Sequence, residues 1–169
     1  LISNRRARAI LAMLCLVPEQ SFSRRYLSKI LWPDRFEAQA RASLRQCLSD
    51  LGKFLAPING MILEVNRSRV SLNPAHVTTD LSVLETALKE SRYGDAASEL
   101  NNIGSKPILD QFIFGPEFEL WLNTQREAIH RRLHQAVHVA LKNLDQSGDE
   151  KTYAELLAAW NFRSPATAH

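Results

Sequence analysis

The sequence predicts a mainly α-helical chain in two parts: three helices and a β-hairpin, then an all-α region of helical hairpins. Three observations carry this. Apolar residues recur at helical spacing through most of the chain. One pair of β-rich runs, 61–65 and 69–72, flanks the polar turn Asn66-Arg67-Ser68. Charge divides the chain at the end of that hairpin, since residues 1–73 hold 12 basic and 5 acidic side chains and 74–169 hold 9 and 13. A basic stretch of this size is the electrostatic footprint of a domain that meets a polyanion, most often nucleic acid, whereas an acidic helical region would be repelled by one.

Composition narrows the class. With 169 residues, 45% apolar and 23% charged, the chain is ordinary globular material rather than disordered or collagen-like. The longest apolar run, 10–17, falls far short of the roughly 18 residues a membrane-spanning helix needs, and no signal-peptide pattern opens the sequence. Cys15 and Cys47 lie in apolar helical stretches without a CxxC or Cys/His cluster, which argues against a disulfide framework or a zinc site. A soluble protein of the reducing cytoplasm is expected. The chain opens on Leu, and 164–169 read as a tail, as in a piece of a longer polypeptide.

The first helix starts at Ser3 or Asn4, either one a good N-cap, and carries Ala7, Ile10, Leu11, Leu14 and Val17 until Pro18. Arg5, Arg6 and Arg8 in its first turns oppose the helix dipole, which hints at a nearby anion such as phosphate. After a connector over 18–22, Ser23 caps a short second helix with Leu27, Ile30 and Leu31, ended by Trp32-Pro33. The third helix, about 37–55, has an apolar stripe of Leu44, Cys47, Leu48, Leu51 and Leu55. Arg41, Arg45, Ser49 and Lys53 follow at i+4 spacing along another face. The hairpin then presents Arg67 and Arg69 near its tip.

Three helices and a basic-tipped hairpin, in that order, make a winged helix-turn-helix, here over 1–76. In that architecture the third helix enters the major groove, where Arg bonds guanine edges and Gln adenine edges, while the wing and other helix starts hold phosphates. Arg41, Arg45, Gln46 and Ser49 are the expected reading residues, with Ser43 beside them on the same helix. Lys53, Arg24, Arg25, Arg67 and Arg69 are the expected phosphate contacts, because guanidinium forks onto phosphate. On an isolated helix a row of Arg is only a solvated face; the order of elements and the charge split favour the DNA reading.

Residues 77–169 carry no strand signal. Helices are expected over 80–91 (Leu81, Leu84, Leu88), from Gly94-Asp95 through Leu100 and Ile103, from Pro116 to Leu144, and over 151–160, with Ser147-Gly148-Asp149 as a break. Helical hairpins joined by Gly-Asp turns are the material of tetratricopeptide-like repeats, although no strict 34-residue period is present.

Three strings, Arg5-Arg6-Ala7-Arg8-Ala9-Ile10-Leu11-Ala12-Met13-Leu14, Ser23-Arg24-Arg25-Tyr26-Leu27-Ser28-Lys29-Ile30-Leu31-Trp32-Pro33-Asp34 and Ala40-Arg41-Ala42-Ser43-Leu44-Arg45-Gln46-Cys47-Leu48-Ser49, resemble the DNA-binding domain of the antibiotic-pathway regulator (SARP) family, whose winged helix is of the OmpR type. Val77-Thr78-Thr79-Asp80, Pro107-Ile108-Leu109 and Glu119-Leu120-Trp121-Leu122-Asn123-Thr124-Gln125-Arg126 are similar to the bacterial transcriptional activator domain that follows it, here over 77–169 and incomplete. The resemblance covers about 5–160. It implies a transcription activator that binds direct repeats in promoter DNA through the third helix. It also implies a loop of Trp32, Pro33, Asp34, Arg35, Phe36 and Glu37 that touches RNA polymerase. Two departures stand out. Asp50 and Gly52 lie where the family keeps basic residues, and the family's N-terminal antiparallel sheet is nearly absent, which would leave the apolar face of helix one partly uncovered.

Other features point less far. His130, His134 and His138 at i, i+4 and i+8 could chelate a metal, but Arg131 and Arg132 beside them favour a solvated or interface edge. Trp121 and Trp160 read as packing residues. Phe112-Ile113-Phe114 either plugs a groove between helices or forms a partner patch. GxxxxGK[ST], GxGxxG and GxSxG motifs are absent, so neither an enzyme nor a cofactor is expected. The helical region is expected to serve dimerisation, giving a homodimer, or effector sensing. Two rival readings remain: a winged helix turned protein-interaction or dimerisation module for a domain elsewhere in a longer polypeptide, and a metal- or ligand-dependent enzyme that uses the three histidines.

Overall fold

The computed structural model describes residues 2, 4–17, 21–59 and 62–163. The chain is mainly α-helical with one small three-stranded antiparallel sheet. It divides into two compact units, the first comprising the residues up to Val77 together with Leu109–Gln125, the second Thr78–Ile108 and the residues from Arg126 onward.

In the first unit α1 is Arg5–Leu16, capped by Asn4, whose Oδ1 accepts from the amides of Arg6 and Ala7 at 3.0 and 3.2 Å. The other expected cap, Ser3, the stop at Pro18 and the strand start at Met61 lie outside the described residues, as does the tail 164–169. Strand β1 (Ser21–Ser23) leads into α2 (Arg24–Leu31), where Ser23 Oγ accepts from the Tyr26 amide at 3.1 Å. Helix α3 runs Glu37–Asn59, four residues beyond its expected end. Pro57 falls in its last turn, where the missing N–H costs one hydrogen bond and breaks nothing downstream. Strands β2 (Leu63–Val65) and β3 (Arg69–Leu72) complete the sheet in the order β1-β3-β2, with Phe22 opposite Val70 and Val65 opposite Val70 on the other side.

Strand β1 lies where the sequence indicated a connector: Ser-Phe-Ser is too short to show a two-residue period, and its pairing depends on β3, nearly fifty residues later. Along β3, Val70 and Leu72 point into the core while Arg69 and Ser71 face outward. The core gathers Ile10, Met13 and Leu14 of α1, Leu27, Ile30 and Leu31 of α2, Leu44, Leu48 and Leu51 of α3, and Val70.

Segment Leu109–Gln125 completes this core. Phe112, Phe118 and Leu122 are buried in the same cluster, and Phe114 packs edge-on to Phe118 with ring centres 5.0 Å apart. The Phe112-Ile113-Phe114 run is therefore a plug for its outer two rings, while Ile113 is 69% exposed. Gly115 allows the plug to approach α2: its φ is +127°, and a Cβ there would lie 3.2 Å from Pro33 Cγ. Glu117 pairs with Lys29 at 3.0 Å. The centre of the apolar face of α1 is covered despite the missing N-terminal sheet, with Ala7, Ile10, Met13 and Leu14 each 0% exposed, while Leu11 and Val17 are half-buried.

The second unit consists of α4 (Asp80–Lys89), α5 (Tyr93–Ile103), the part of α6 (Pro116–Ser147) from Arg126, and α7 (Glu150–Arg163). Thr79 and Ser82 form a reciprocal capping box at the start of α4, and Gly148 at φ +73° turns α6 into α7. Helix α5 packs on α4 and α7 through the small residues Ala96, Ala97 and Ala159. The expected stripe of Ile129, Leu133, Val137, Ala140 and Leu144 is buried, with Leu141 at its edge. Among the described residues no helix is long and apolar enough to cross a membrane.

Phe118 supplies the largest fully buried side chain of the plug. Phe118→Ala is expected to destabilise the first unit by about 3–5 kcal/mol, read as a lowered urea midpoint for a probe in that unit; a change below about 1 kcal/mol would mean that the segment is dispensable to the core.

Candidate nucleic-acid interface

Helix α3 divides as its spacing predicts. Ala40, Leu44, Cys47, Leu48, Leu51 and Leu55 face inward, while Arg41, Arg45, Gln46, Ser49 and Lys53 are exposed and Ser43 is half-buried. Arg45, Ser49 and Lys53 have no side-chain hydrogen bond or ion pair among the described residues. Arg41 pairs with Glu37 one turn earlier, and Gln46 Nε2 donates to Asp50 Oδ1 at 2.9 Å. Both ties are on the surface, where an i,i+4 ion pair is worth about 0.3–0.5 kcal/mol. A base edge or phosphate competes with them easily. Ser43 is turned back on its own helix, donating to Gln39 O at 2.9 Å and accepting from Arg35 Nη1 at 2.6 Å.

A second cluster forms where β1, the start of α2 and the β2–β3 turn meet. Asn66 Oδ1 accepts from the Ser68 and Arg69 amides at 2.9 and 2.8 Å and so shapes the turn that carries Arg67. The Arg24 amide donates to Ser68 O at 2.8 Å, and its guanidinium reaches Asn66 O at 3.1 Å. Arg69, opposite Ser23 in the sheet, donates from Nε to Ser21 Oγ at 2.9 Å. Arg24, Arg67 and Arg69 are thereby gathered at one tip, two of them braced by neutral acceptors, and none pairs with an acid among the described residues. Asn66 and Ser21 organise the tip and were not singled out in the sequence; the Asn-Arg-Ser turn was the available signal for the first.

Arg25 lies apart from that tip. With Ser28, Lys29, Trp32, Pro33, Arg35 and Glu37 it lines a cavity of about 210 Å³ beside the loop between α2 and α3. Within the loop Trp32 is a buried anchor, 5% exposed, whereas Pro33, Asp34, Arg35, Phe36 and Glu37 are exposed, Phe36 at 83%.

Two of the three arginines at the start of α1, Arg5 and Arg6, are engaged within the fold. Arg6 Nε donates to Leu31 O at 2.8 Å, at the carbonyl end of α2, and its guanidinium lies over the Trp32 and Phe114 rings at 5.2 and 5.4 Å. A hydrogen bond from a charged donor, worth about 1.5–3 kcal/mol, outweighs a dipole cost of a few tenths. Burial, helped by the charge of Arg35, lowers the Arg6 pKa. Arg5 donates to Gln111 O at 2.6 Å, and Arg8 is exposed. Beneath the α3 face, burial and then Asp50 push the Cys47 thiol up to about 11.

In the second unit His130 stacks on Trp160 with ring centres 5.5 Å apart, His134 lies tilted to the same ring at 6.0 Å, and His138 is exposed. Among the described residues no group of three His, Cys, Asp or Glu side chains is placed to hold a metal ion. No family model, curated protein or solved structure matches the chain.

Asn66→Ala removes two backbone acceptor bonds at the tip and is expected to cost about 1–2 kcal/mol, with faster hydrogen exchange at the Ser68 and Arg69 amides; unchanged exchange there would mean that the turn is shaped by other contacts. At pH 8 a thiol near 11 holds about 100-fold less thiolate than one near 9. Iodoacetamide should therefore alkylate Cys47 in the folded chain at least that much more slowly than in urea, as followed by peptide mass spectrometry; equal rates would place Cys47 in an open environment.

Proposed function

We propose that the first unit is a winged helix-turn-helix that binds duplex DNA, and that the chain is a transcriptional regulator, acting as an activator in the cytoplasm and not as an enzyme. The observation that carries this reading is the order α1-β1-α2-α3-β2-β3 with an exposed Arg/Gln face on α3 and three arginines at the β2–β3 tip. In this reading Arg41, Arg45, Gln46 and Ser49 meet base edges in the major groove, while Lys53, Arg24, Arg67 and Arg69 hold phosphates. Ser43 positions Arg35 and contributes at the margin, and Arg25 belongs with the loop cavity.

The loop between α2 and α3 supports a protein contact, for which RNA polymerase is the candidate from the resemblance to SARP regulators. Trp32 fixes the loop from inside, and Arg35 and Phe36 present a cation and an apolar ring outward. The second unit, two helical hairpins of tetratricopeptide-like character, serves homodimerisation or effector sensing. A second reading, in which the first unit is a protein-interaction platform for a domain elsewhere in a longer polypeptide, is favoured by the intrahelical pairs that engage Arg41 and Gln46.

Fluorescence anisotropy against a mixed-sequence duplex at several salt concentrations separates the two. DNA binding should lose affinity linearly in log salt, with a slope of about −0.9 per phosphate contact. Arg67→Ala should weaken all sequences alike and flatten that slope by about one contact. On a selected site Arg45→Ala should cost about 1–3 kcal/mol and relax base preference. Absence of binding at low salt would transfer the function to the interaction reading, and equal effects of both variants on every sequence would refute the division of roles.

A further inference from the structure

The second unit holds a cavity of about 260 Å³ whose polar wall is cationic and whose remaining wall is apolar. Lys106, Arg126 and Arg163 line it together with the rings of His130 and Trp160 and the side chain of Ile129. Among the described residues that line it there is no carboxylate. Elsewhere in the unit three cations sit on acids: Arg92 on Glu90 and Asp95, Arg132 on Glu85, Lys151 near Glu155. Arg163 instead donates from Nη1 to Gly104 O at 2.9 Å, and Arg126 donates from Nε and Nη2 to Ile108 O at 2.9 and 2.7 Å. These bonds hold the 104–108 loop against α6 and α7 and orient the two guanidinium planes.

A guanidinium has five N–H donors in a fixed fork, and a single carbonyl leaves most of those of Arg163 unused. Burial lowers the Arg163 pKa, with Asp80 opposing it, so the charge there is kept at a cost that an incoming anion would offset. The Trp160 indole is 8% exposed and already stacked by His130 at 5.5 Å and 26°, so the apolar wall is flat and rigid. A carboxylate needs a fork of donors, and an aromatic ring fits a flat wall; the cavity juxtaposes both in a volume suited to one ring.

We propose that this cavity binds a small aromatic carboxylate, its carboxylate held by Arg163 and Lys106 beside Arg126 and its ring laid against Trp160. The site is independent of the DNA reading, because neither its residues nor its ligand bear on α3 or the β2–β3 tip.

The test is ligand-observed ¹⁹F NMR of 4-fluorobenzoate with the full chain, alongside 4-fluorobenzyl alcohol and inorganic phosphate. Fluorobenzoate should bind at least about tenfold more tightly than the alcohol, because the charged hydrogen bonds supply the difference. Phosphate should compete weakly, as it lacks the ring. Arg163→Gln should weaken fluorobenzoate about tenfold and Lys106→Gln about threefold, with the affinity for the alcohol unchanged. Lys106 is exposed and makes no side-chain bond among the described residues, so Lys106→Gln and the charge reversal Lys106→Glu report on the site even if Arg163→Gln fails to fold. Equal binding of acid and alcohol, absence of fluorobenzoate binding, phosphate binding as tight as fluorobenzoate, or insensitivity to the Lys106 variants would each overturn the proposal.

Discussion

The Arg6 guanidinium stands where three segments of the first unit meet. It comes from α1, donates to the last carbonyl of α2, and lies between the rings of Trp32 and Phe114, the second of which belongs to the distant 109–125 segment. A planar cation between two aromatic faces satisfies its charge without an acid, and each such contact contributes about 0.5–2 kcal/mol. The carbonyl it caps is at the negative end of α2, so the cation also complements that helix dipole. Beside it Arg5 donates to Gln111 O at 2.6 Å, so α1, the α2–α3 loop and the aromatic segment are joined by directional polar contacts as well as by apolar ones. Trp32 is thereby pinned, and with it the point from which α3 sets out.

From that point the exposed chemistry of α3 follows from packing. The inward stripe from Ala40 to Leu55 seats the helix on α1 and α2, and rotation about its axis is set by which residues are buried. The remaining face, with Arg41, Arg45, Ser49 and Lys53, has no freedom to turn inward. At the other end of the unit, pairing of β1 with β3 carries Ser23 to Arg69, and because Ser23 also caps α2, the same three residues that form an edge strand place Arg24 at the turn. Sheet and helix start are one device.

Local features of this molecule were legible in its sequence, and non-local ones were not. Helices α1 to α7 declare themselves by apolar spacing, by caps at Asn4 and Ser23, and by the Gly148 turn, all of which act within a few residues. Strand β1 does not, because three residues carry no period and its partner is far along the chain. Arg5 and Arg6 of α1 read as an anion site because a sequence shows the dipole they oppose, not the carbonyls of Gln111 and Leu31 or the rings that receive them. The same limit hid the place of the 109–125 segment. Its aromatic run was visible, but that Phe112, Phe118 and Leu122 close the core beneath α1 depends on a return of the chain that no spacing announces. The exposed faces of α3 were the legible part of the candidate site. The pairing of Gln46 with Asp50 was open to reading at i+4, whereas the bracing of Arg24 and Arg69 required the sheet.

Positive charge is held in two ways in this chain. At the β2–β3 tip Arg24 and Arg69 are bonded to a carbonyl and a hydroxyl, neutral acceptors that restrain the side chains while leaving their full charge to act outward. On α3 Arg41 is held by an acid and Gln46 by another, which reduces the outward field and reserves these groups for a partner that offers a better-placed acceptor than a solvated carboxylate. Among the described residues, unpaired positive charge therefore resides at the tip and on Arg45 and Lys53 of α3, while Arg41 and Gln46 are held by weak intrahelical ties. The second unit repeats the first arrangement in a concave form, with Arg163 braced by a loop carbonyl beside a cavity. Guanidinium groups restrained by neutral oxygens are thus the recurring means by which this chain keeps charge available for something other than itself.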